Sequence, residues 1–323
     1  MSGIHKILAV TSGRADASPI RPVIEALEAE GANVGEVSLE GLDIETCCRS
    51  VADSLCYGYD SIILLGDRYE ILAAALAATV AQIPIAHIHG GEASFGSFDN
   101  QIRDAITKLS HIHFVATEGA RQRLAYKLDE SPERIHLVGA PGLDNIARIL
   151  KEERKPGKYF VVTWHPETLG DNMGCAAMAA ALKQFPDYKI VWTGVNNDPG
   201  ADKIRESLQW HDPEGSYVLD DMTPTDYLRA VYNCAAVIGN SSSGIIEAPA
   251  LGVPTVNIGC RQEGRQHGPS VFDAKPTAKN IEFGINWALG YNYKFTNPYG
   301  TAGASAKIAD ILMNTEIEMV KRI

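Results

Sequence analysis

The sequence predicts an α/β fold of two doubly wound, Rossmann-like domains facing each other across a cleft. Three observations carry this expectation. Short apolar runs alternate with helix-period segments from end to end, the pattern of parallel sheets whose strands are buried on both faces. The 323 residues suit two domains. The alternation also starts afresh after Lys151–Lys158 (KEERKPGK), a charged stretch carrying Pro156 and Gly157. The expected domains are residues 1–152 and 153–323, with the last helix free to pack back on the first domain.

The first domain offers strands at Lys6–Thr11, Asp60–Leu65, Pro84–Ile88, Ile112–Ala116 and Arg134–Val138. The second offers Tyr159–Thr163, Tyr188–Thr193, Ala235–Gly239 and Pro254–Ile258. Helical periodicity marks Ile20–Glu30, Glu70–Gln82, Gln101–Leu109 and Gly119–Leu128. The tail from Thr301 to Ile323 reads as helix in two pieces, broken near Asn314.

Composition narrows the function. Hydrophobic residues are 45% and charged residues 21% of the chain, enough apolar material for two cores. A net charge of -11 argues against non-specific nucleic-acid binding, which depends on neutralising phosphates. It leaves open an anionic small molecule, because local arginines decide that. The six cysteines form no C-x-x-C pair and no zinc-spaced cluster, as expected of buried thiols in a reducing compartment. The N-terminus MSGIHKILAV lacks a signal-peptide pattern, and no apolar run approaches the ~18 residues of a membrane span. The expected setting is cytoplasmic, without membrane attachment.

In doubly wound sheets, ligands sit outside the carboxyl ends of the strands, and the unusual residues cluster there. After the first strand, Gly13 and Arg14 suit either a phosphate contact or an ordinary turn. Asp67, beside Arg68 in GDRYE, suits acid/base work, substrate hydroxyls or a helix cap. In HIHGGE, strand alternation sends His87 and His89 to one face, with Glu92 nearby. This group reads as substrate binding or acid/base chemistry, as a structural turn, or as an incomplete zinc site. Asp99 is either a helix cap or a second carboxylate over the cleft. In the second domain, Pro166 turns the chain so that His165 points into the cleft, either for chemistry or as a structural histidine. The segment Gly239-Asn240-Ser241-Ser242-Ser243-Gly244 then leads into a helix, with Glu247 one turn on. Its free N–H groups, hydroxyls and helix dipole suit a diphosphate, the alternative being a serine-capped helix. Arg261 and Arg265 lie on a glycine-flanked loop, suited to phosphate charge or simply to the surface.

Taken in order, GDRYE, HIHGGE, ITKLSH, HPET, GNSSSGIIEAPALGVPTVNIG and RQEGR resemble the hydrolysing UDP-N-acetylglucosamine 2-epimerases of sialic and nonulosonic acid biosynthesis. The resemblance runs from Lys6 to about Ala288. It implies a GT-B-like fold and a reaction without metal or other cofactor, in which the nucleotide is eliminated and the resulting glycal is hydrated. It implies acid/base roles for Asp67, His89, Asp99 and His165, and sugar contacts for Arg68 and Glu92. Nucleotide contacts fall to Arg14, Ser241, Ser242, Ser243, Gly244, Glu247, Arg261 and Arg265. The implied substrate is a UDP-sugar or GDP-sugar, and the implied assembly a homodimer or homotetramer. Two features depart from the family. His89 stands where members often carry Glu, which suggests a different sugar such as a 2,4-diacetamido-trideoxy hexose. The stretch between Val34–Leu39 and Asp60 is about twenty residues, roughly forty fewer than in relatives. A non-hydrolysing epimerase, a glycosyltransferase and a non-catalytic nucleotide-sugar binder are the competing readings. The first is disfavoured because HIHGGE lacks the arginine of that group's H-x-E-A-G-x-R.

Overall fold

A computed structural model describes residues 5–166, 174–194, 217–219 and 222–321. Two compact units emerge. The first comprises Met1–Glu92, Asp99–Asn145 and Tyr299–Ile323; the second comprises Ala93–Phe98 and Ile146–Pro298. Among the described residues no helix is long and apolar enough to cross a membrane.

The first unit is built on a parallel six-stranded sheet of order β2-β1-β3-β4-β5-β6. The strands are β1 (Lys6–Thr11), β2 (Asn33–Ser38), β3 (Ser61–Leu65), β4 (Ile85–Ile88), β5 (Ile112–Val115) and β6 (Ile135–Leu137). Its helices are α1 (Arg14–Ala29), α2 (Ile44–Leu55), α3 (Tyr69–Val80), α4 (Asp99–Leu109), α5 (Glu118–Lys127) and, from the end of the chain, α11 (Ala304–Asn314), while the short α6 (Ile146–Ile149) opens the second unit. Alternation along the strands divides the core. Ile7, Ala9, Ile63 and Leu65 pack with α1 and α11, whereas Leu8, Val10, Ile62 and Leu64 pack with α2 and α3. Full burial of each Ile, Leu or Val among them contributes about 1.5–3 kcal/mol.

Helix α1 begins six residues before the Ile20 expected from periodicity and contains Pro19 and Pro22. A helical proline strands the carbonyl four residues back. The Ser18 carbonyl, so freed by Pro22, accepts from Asn145 Nδ2 at 3.1 Å. Asp144, next to it, caps α11: its carboxylate accepts from the backbone N–H groups of Gly303 and Ser305. Beyond α11 the described residues 315–321 are not helical, contrary to the second helical piece expected after Asn314. It is tied down instead by polar contacts: Lys321 Nζ lies 2.7 Å from Glu130, and Arg134 donates to the Val320 carbonyl at 2.8 Å.

The second unit has the sheet order β12-β11-β10-β7-β8-β9, again all parallel. Its strands are β7 (Tyr159–Thr163), β8 (Lys189–Thr193), β9 (Tyr217–Leu219), β10 (Ala236–Gly239), β11 (Thr255–Ile258) and β12 (Val271–Ala274). Helices α7 (Gly174–Leu182) and α10 (Ala278–Leu289) cover one face, packing on Phe160, Val162, Trp164 and Ile238. Helices α8 (Pro224–Asn233) and α9 (Ser243–Ala250) follow β9 and β10. Both sheets reverse strand order once, between β1 and β3 in the first and between β7 and β10 in the second. These switch points are where doubly wound folds bind ligands.

At the second switch point β10 lies against β7 so closely that a Cβ at Gly239 (φ 138°) would stand 1.8 Å from the Thr163 carbonyl oxygen. Gly239→Ala is therefore expected to lower unfolding free energy by at least about 3 kcal/mol in urea titration. Gly252→Ala, at φ 69° with open space around it, should lose only about 1 kcal/mol. Equal losses would show that the strand contact does not require glycine.

Candidate functional site

At the first switch point, β1 leads into Ser12 and β3 ends ahead of Gly66-Asp67-Arg68. Asp16, in the first turn of α1, accepts from the Ser12 hydroxyl. It is 8% exposed, and burial pushes its carboxyl up to about 6 against the opposing influence of Ser12 and Arg68. Arg68 holds the N-cap position of α3 and donates to the buried Glu70 at 3.3 Å. The cap reading of Asp67 is thereby displaced.

The carboxylate of Asp67 is held by Arg103, which comes from the apolar side of α4 and is 1% exposed. Arg103 Nη1 also donates to the Glu92 carbonyl at 2.8 Å. Glu92 is itself buried, and its Oε1 lies 2.6 Å from His89 Nδ1. One guanidinium thus ties the Asp67 side chain to the turn that carries His89. Asp99 opens α4 one helical turn before Arg103, where the helix dipole favours a carboxylate.

The expectation that His87 and His89 share a face is corrected. Strand β4 ends at Ile88, and His89 takes φ 65°, so the alternation does not reach it. His87 lies in the core, with Nε2 2.9 Å from the Gly66 carbonyl and Nδ1 3.4 Å from Thr107 Oγ1. Burial pushes its pKa down to about 3, so the ring is neutral near pH 7. Among the described residues no three His, Cys, Asp or Glu side chains gather as metal ligands.

At the second switch point the organising residue is Asn240, fully buried just after β10. Its side-chain amide clasps the peptide of His165: Oδ1 accepts from His165 N at 2.7 Å, and Nδ2 donates to His165 O at 2.8 Å. Its own carbonyl accepts from Gln262 Nε2 at 2.9 Å and Arg261 Nη1 at 3.2 Å. One residue therefore joins the turn after β7, the turn after β10 and the arginine loop after β11. Ser241 Oγ accepts from Ser243 N at 3.4 Å, and Ser242 is the N-cap residue of α9. Tyr227 donates to Ser243 Oγ at 2.8 Å, which leaves the serine's own proton to point elsewhere. Burial pushes the Tyr227 phenol well up. Gly244 allows α9 to meet β11, since a Cβ there would lie 2.7 Å from Thr255 Cγ2. Glu247 follows one turn into the helix, and Arg265 lies on the same loop as Arg261, its N–H bonded to Gln262 O. The N-terminus of α9, with Arg261 bonded to the Asn240 carbonyl just before it, suits an anion. Arg14 opens α1, but its side chain lies outside the described residues.

Sequence reading did not single out Asp16, Arg103, Tyr227, Asn240 or Gln262. Arg103 left one signal: it falls among Ile102, Ile106 and Leu109 on a helix face that turns inward, where a lone charge requires a partner.

The buried carboxyl gives a pH prediction. Asp16 has a folded pKa near 6 against an unfolded value of 3.8. Its contribution is therefore fully present below pH 3.8 and is lost as pH rises through 6. Relative to the parent, Asp16→Asn should gain about 2.5 kcal/mol between pH 4 and pH 7.5, read as the difference between two urea titrations. A ΔΔG independent of pH would remove the burial account.

The sequence profile of a family described as UDP-N-acetylglucosamine 2-epimerase matches residues 50–313. The chain is 36% identical over 279 residues to the polysialic acid biosynthesis protein P7 of Escherichia coli, covering 79% of this chain and 70% of that one. It is 35% identical over 270 residues to a UDP-N,N'-diacetylbacillosamine 2-epimerase (hydrolyzing) of Legionella pneumophila, covering 78% and 70%. Among solved structures, a Methanocaldococcus jannaschii UDP-GlcNAc 2-epimerase in complex with UDP-GlcNAc and UDP aligns with a TM-score of 0.82. The match covers 96% of this chain and all of that one. At 16% identity this likeness shows the fold, an α/β, GT-B-like pair of sheets.

Proposed function

Because the chain belongs to the UDP-N-acetylglucosamine 2-epimerase family, we propose that it is a hydrolysing 2-epimerase of a nucleotide-activated N-acetylamino sugar. In this reaction the C1–O electron pair leaves with the nucleoside diphosphate, and the C2–H pair becomes the C1=C2 bond of a glycal. Water then places its hydroxyl on C1 and a proton returns to C2 with inverted configuration. The products are free sugar and free nucleotide.

The observation that carries the reading is the buried Asp67–Arg103–Glu92–His89 network at one switch point, accompanied by an arginine-flanked helix N-terminus at the other. The hydrogen on C2 is barely acidic, so departure of the diphosphate must lead. Groups that stabilise developing negative charge are worth about 3–4 kcal/mol each in such a role. Arg14, Arg261, Arg265, Ser241, Ser242, Ser243 and Gly244 are assigned to the diphosphate and Glu247 to the ribose. Asp67, His89, Asp99 and His165 are assigned to proton transfer, and Arg68 to the sugar.

UDP-N-acetylglucosamine, giving N-acetylmannosamine and UDP, is the substrate first assigned. The name of the Legionella relative supports a UDP-linked 2,4-diacetamido-trideoxy sugar as the second candidate, with its GDP-linked form as the third. A cytoplasmic setting and a homodimer or homotetramer belong to the same reading.

Incubating the protein with each nucleotide sugar and EDTA, and following products by NMR, tests the proposal. Free nucleotide with a 2-epimerised sugar is expected; nucleotide still attached to an epimerised sugar would refute hydrolysis, and binding without turnover would refute catalysis. Roles are separated by substitution. Asp67→Asn, which keeps an oxygen for Arg103, should lower kcat by about 100-fold or more with UDP affinity unchanged. Arg265→Ala should weaken UDP binding by about 10-fold or more. Comparable loss of UDP affinity in both would contradict the assignment.

A further inference from the structure

Three non-glycine residues among those described take positive φ: Gln82, His89 and Asp129. Gln82 and Asp129 follow the ends of α3 and α5, where a left-handed residue is an ordinary way to stop a helix. His89 follows a strand. A left-handed imidazole there is held against its backbone preference by its surroundings. Its N–H donates to the Phe114 carbonyl at 3.0 Å, and its ring meets Glu92 at 2.6 Å.

Resting on the hydrolysing-epimerase reading, we propose that Glu92 is a positioning residue, and that it sets the tautomer and aim of His89 so that Nε2 is the atom offered to the substrate. With Glu92 ionised, the 2.6 Å contact requires the proton on Nδ1, because a carboxylate only accepts hydrogen bonds. That leaves the Nε2 lone pair, which has no hydrogen-bond partner among the described residues, for proton transfer. When Nε2 takes up a proton, the imidazolium charge is met by Glu92; when it releases the proton, the pair returns to its starting state, so nothing is consumed over a turnover. Glu92 can hold this position because Arg103 fixes its backbone carbonyl. Since the same guanidinium holds Asp67, the imidazole and the Asp67 carboxylate share one support. His87, two residues away, cannot substitute: both of its ring nitrogens face partners in the core. This assignment replaces the sugar contact that the family resemblance implies for Glu92 with a role exercised through His89.

The test combines a spectrum with kinetics. In the 15N-histidine-labelled full-length protein at alkaline pH, with His89→Asn used for assignment, the His89 ring should show hydrogen on Nδ1 and a bare Nε2. Hydrogen on Nε2 overturns the proposal. Glu92→Gln, which cannot offset the imidazolium charge, should lower kcat by about 100-fold with KM for the nucleotide sugar unchanged. Glu92→Asp should recover part of the loss. A rise in KM with kcat retained would make Glu92 a sugar ligand and overturn the positioning role. If the parent protein turns over none of the nucleotide sugars, the epimerase reading fails by itself, while the tautomer still decides the dyad. The spectrum is taken on the unsubstituted protein, so misfolding of a variant does not obscure it.

Discussion

Parallel pairing is the constraint on which the rest of this structure depends. Every strand of a parallel sheet must be followed by a crossover, so all strands point the same way and both faces are covered by helices. Each sheet reverses its order once, and at that place the chain leaves two neighbouring strands in opposite directions. The polar residues after β1 and β3, and those after β7 and β10, are therefore brought side by side although they are distant in sequence. Asp67 after β3 and the serines after β10 occupy positions that the pairing alone leaves uncovered by a crossover.

The two switch points solve the same problem with different physics. The first relies on charge. A guanidinium as deeply buried as Arg103 is tolerated only with a carboxylate partner, and loss of such a partner typically costs about 3–5 kcal/mol. Asp67 is thus bound to the fold as well as available to chemistry. The second relies on a neutral amide. The side chain of Asn240 satisfies a peptide N–H and a peptide carbonyl together, each otherwise costing about 1–3 kcal/mol if buried without a partner. No ion is desolvated in that clasp, and Arg261 reaches the same residue through its backbone carbonyl.

Much of the architecture was legible from apolar runs because strands such as Ser61–Leu65 are buried throughout. What escaped did so for identifiable reasons. Strand β2 lies at a sheet edge with half of its residues exposed, and β12 has only four residues, so neither gives a continuous apolar run. The start of α1 was hidden by Pro19 and Pro22, whose disruption is absorbed by Asn145, a partner 127 positions from Ser18. The glycine- and serine-rich turns drew attention to strand ends. Arg103, Asn240 and Gln262 did not, because their importance lies in long-range hydrogen bonds that no local pattern records. His89 misled because strand alternation was carried one residue past the end of the strand.

The division of the chain into units has a practical corollary. The backbone passes from one unit to the other at four points, after Glu92, Phe98, Asn145 and Pro298. The six residues Ala93–Phe98 are built into the second unit, where Phe95 N–H bonds to the Glu263 carbonyl and Gly96 lies against Cys260. The first unit in turn needs Tyr299–Ile323 to close the apolar side of α1. No single cut yields either unit whole. A fragment ending at Asn145 would expose α1, and one spanning Ile146–Pro298 would lack the peptide that fills its arginine loop. Modular exchange with a relative would require splicing three segments at once, so these two sheets are expected to be inherited and engineered as an inseparable pair.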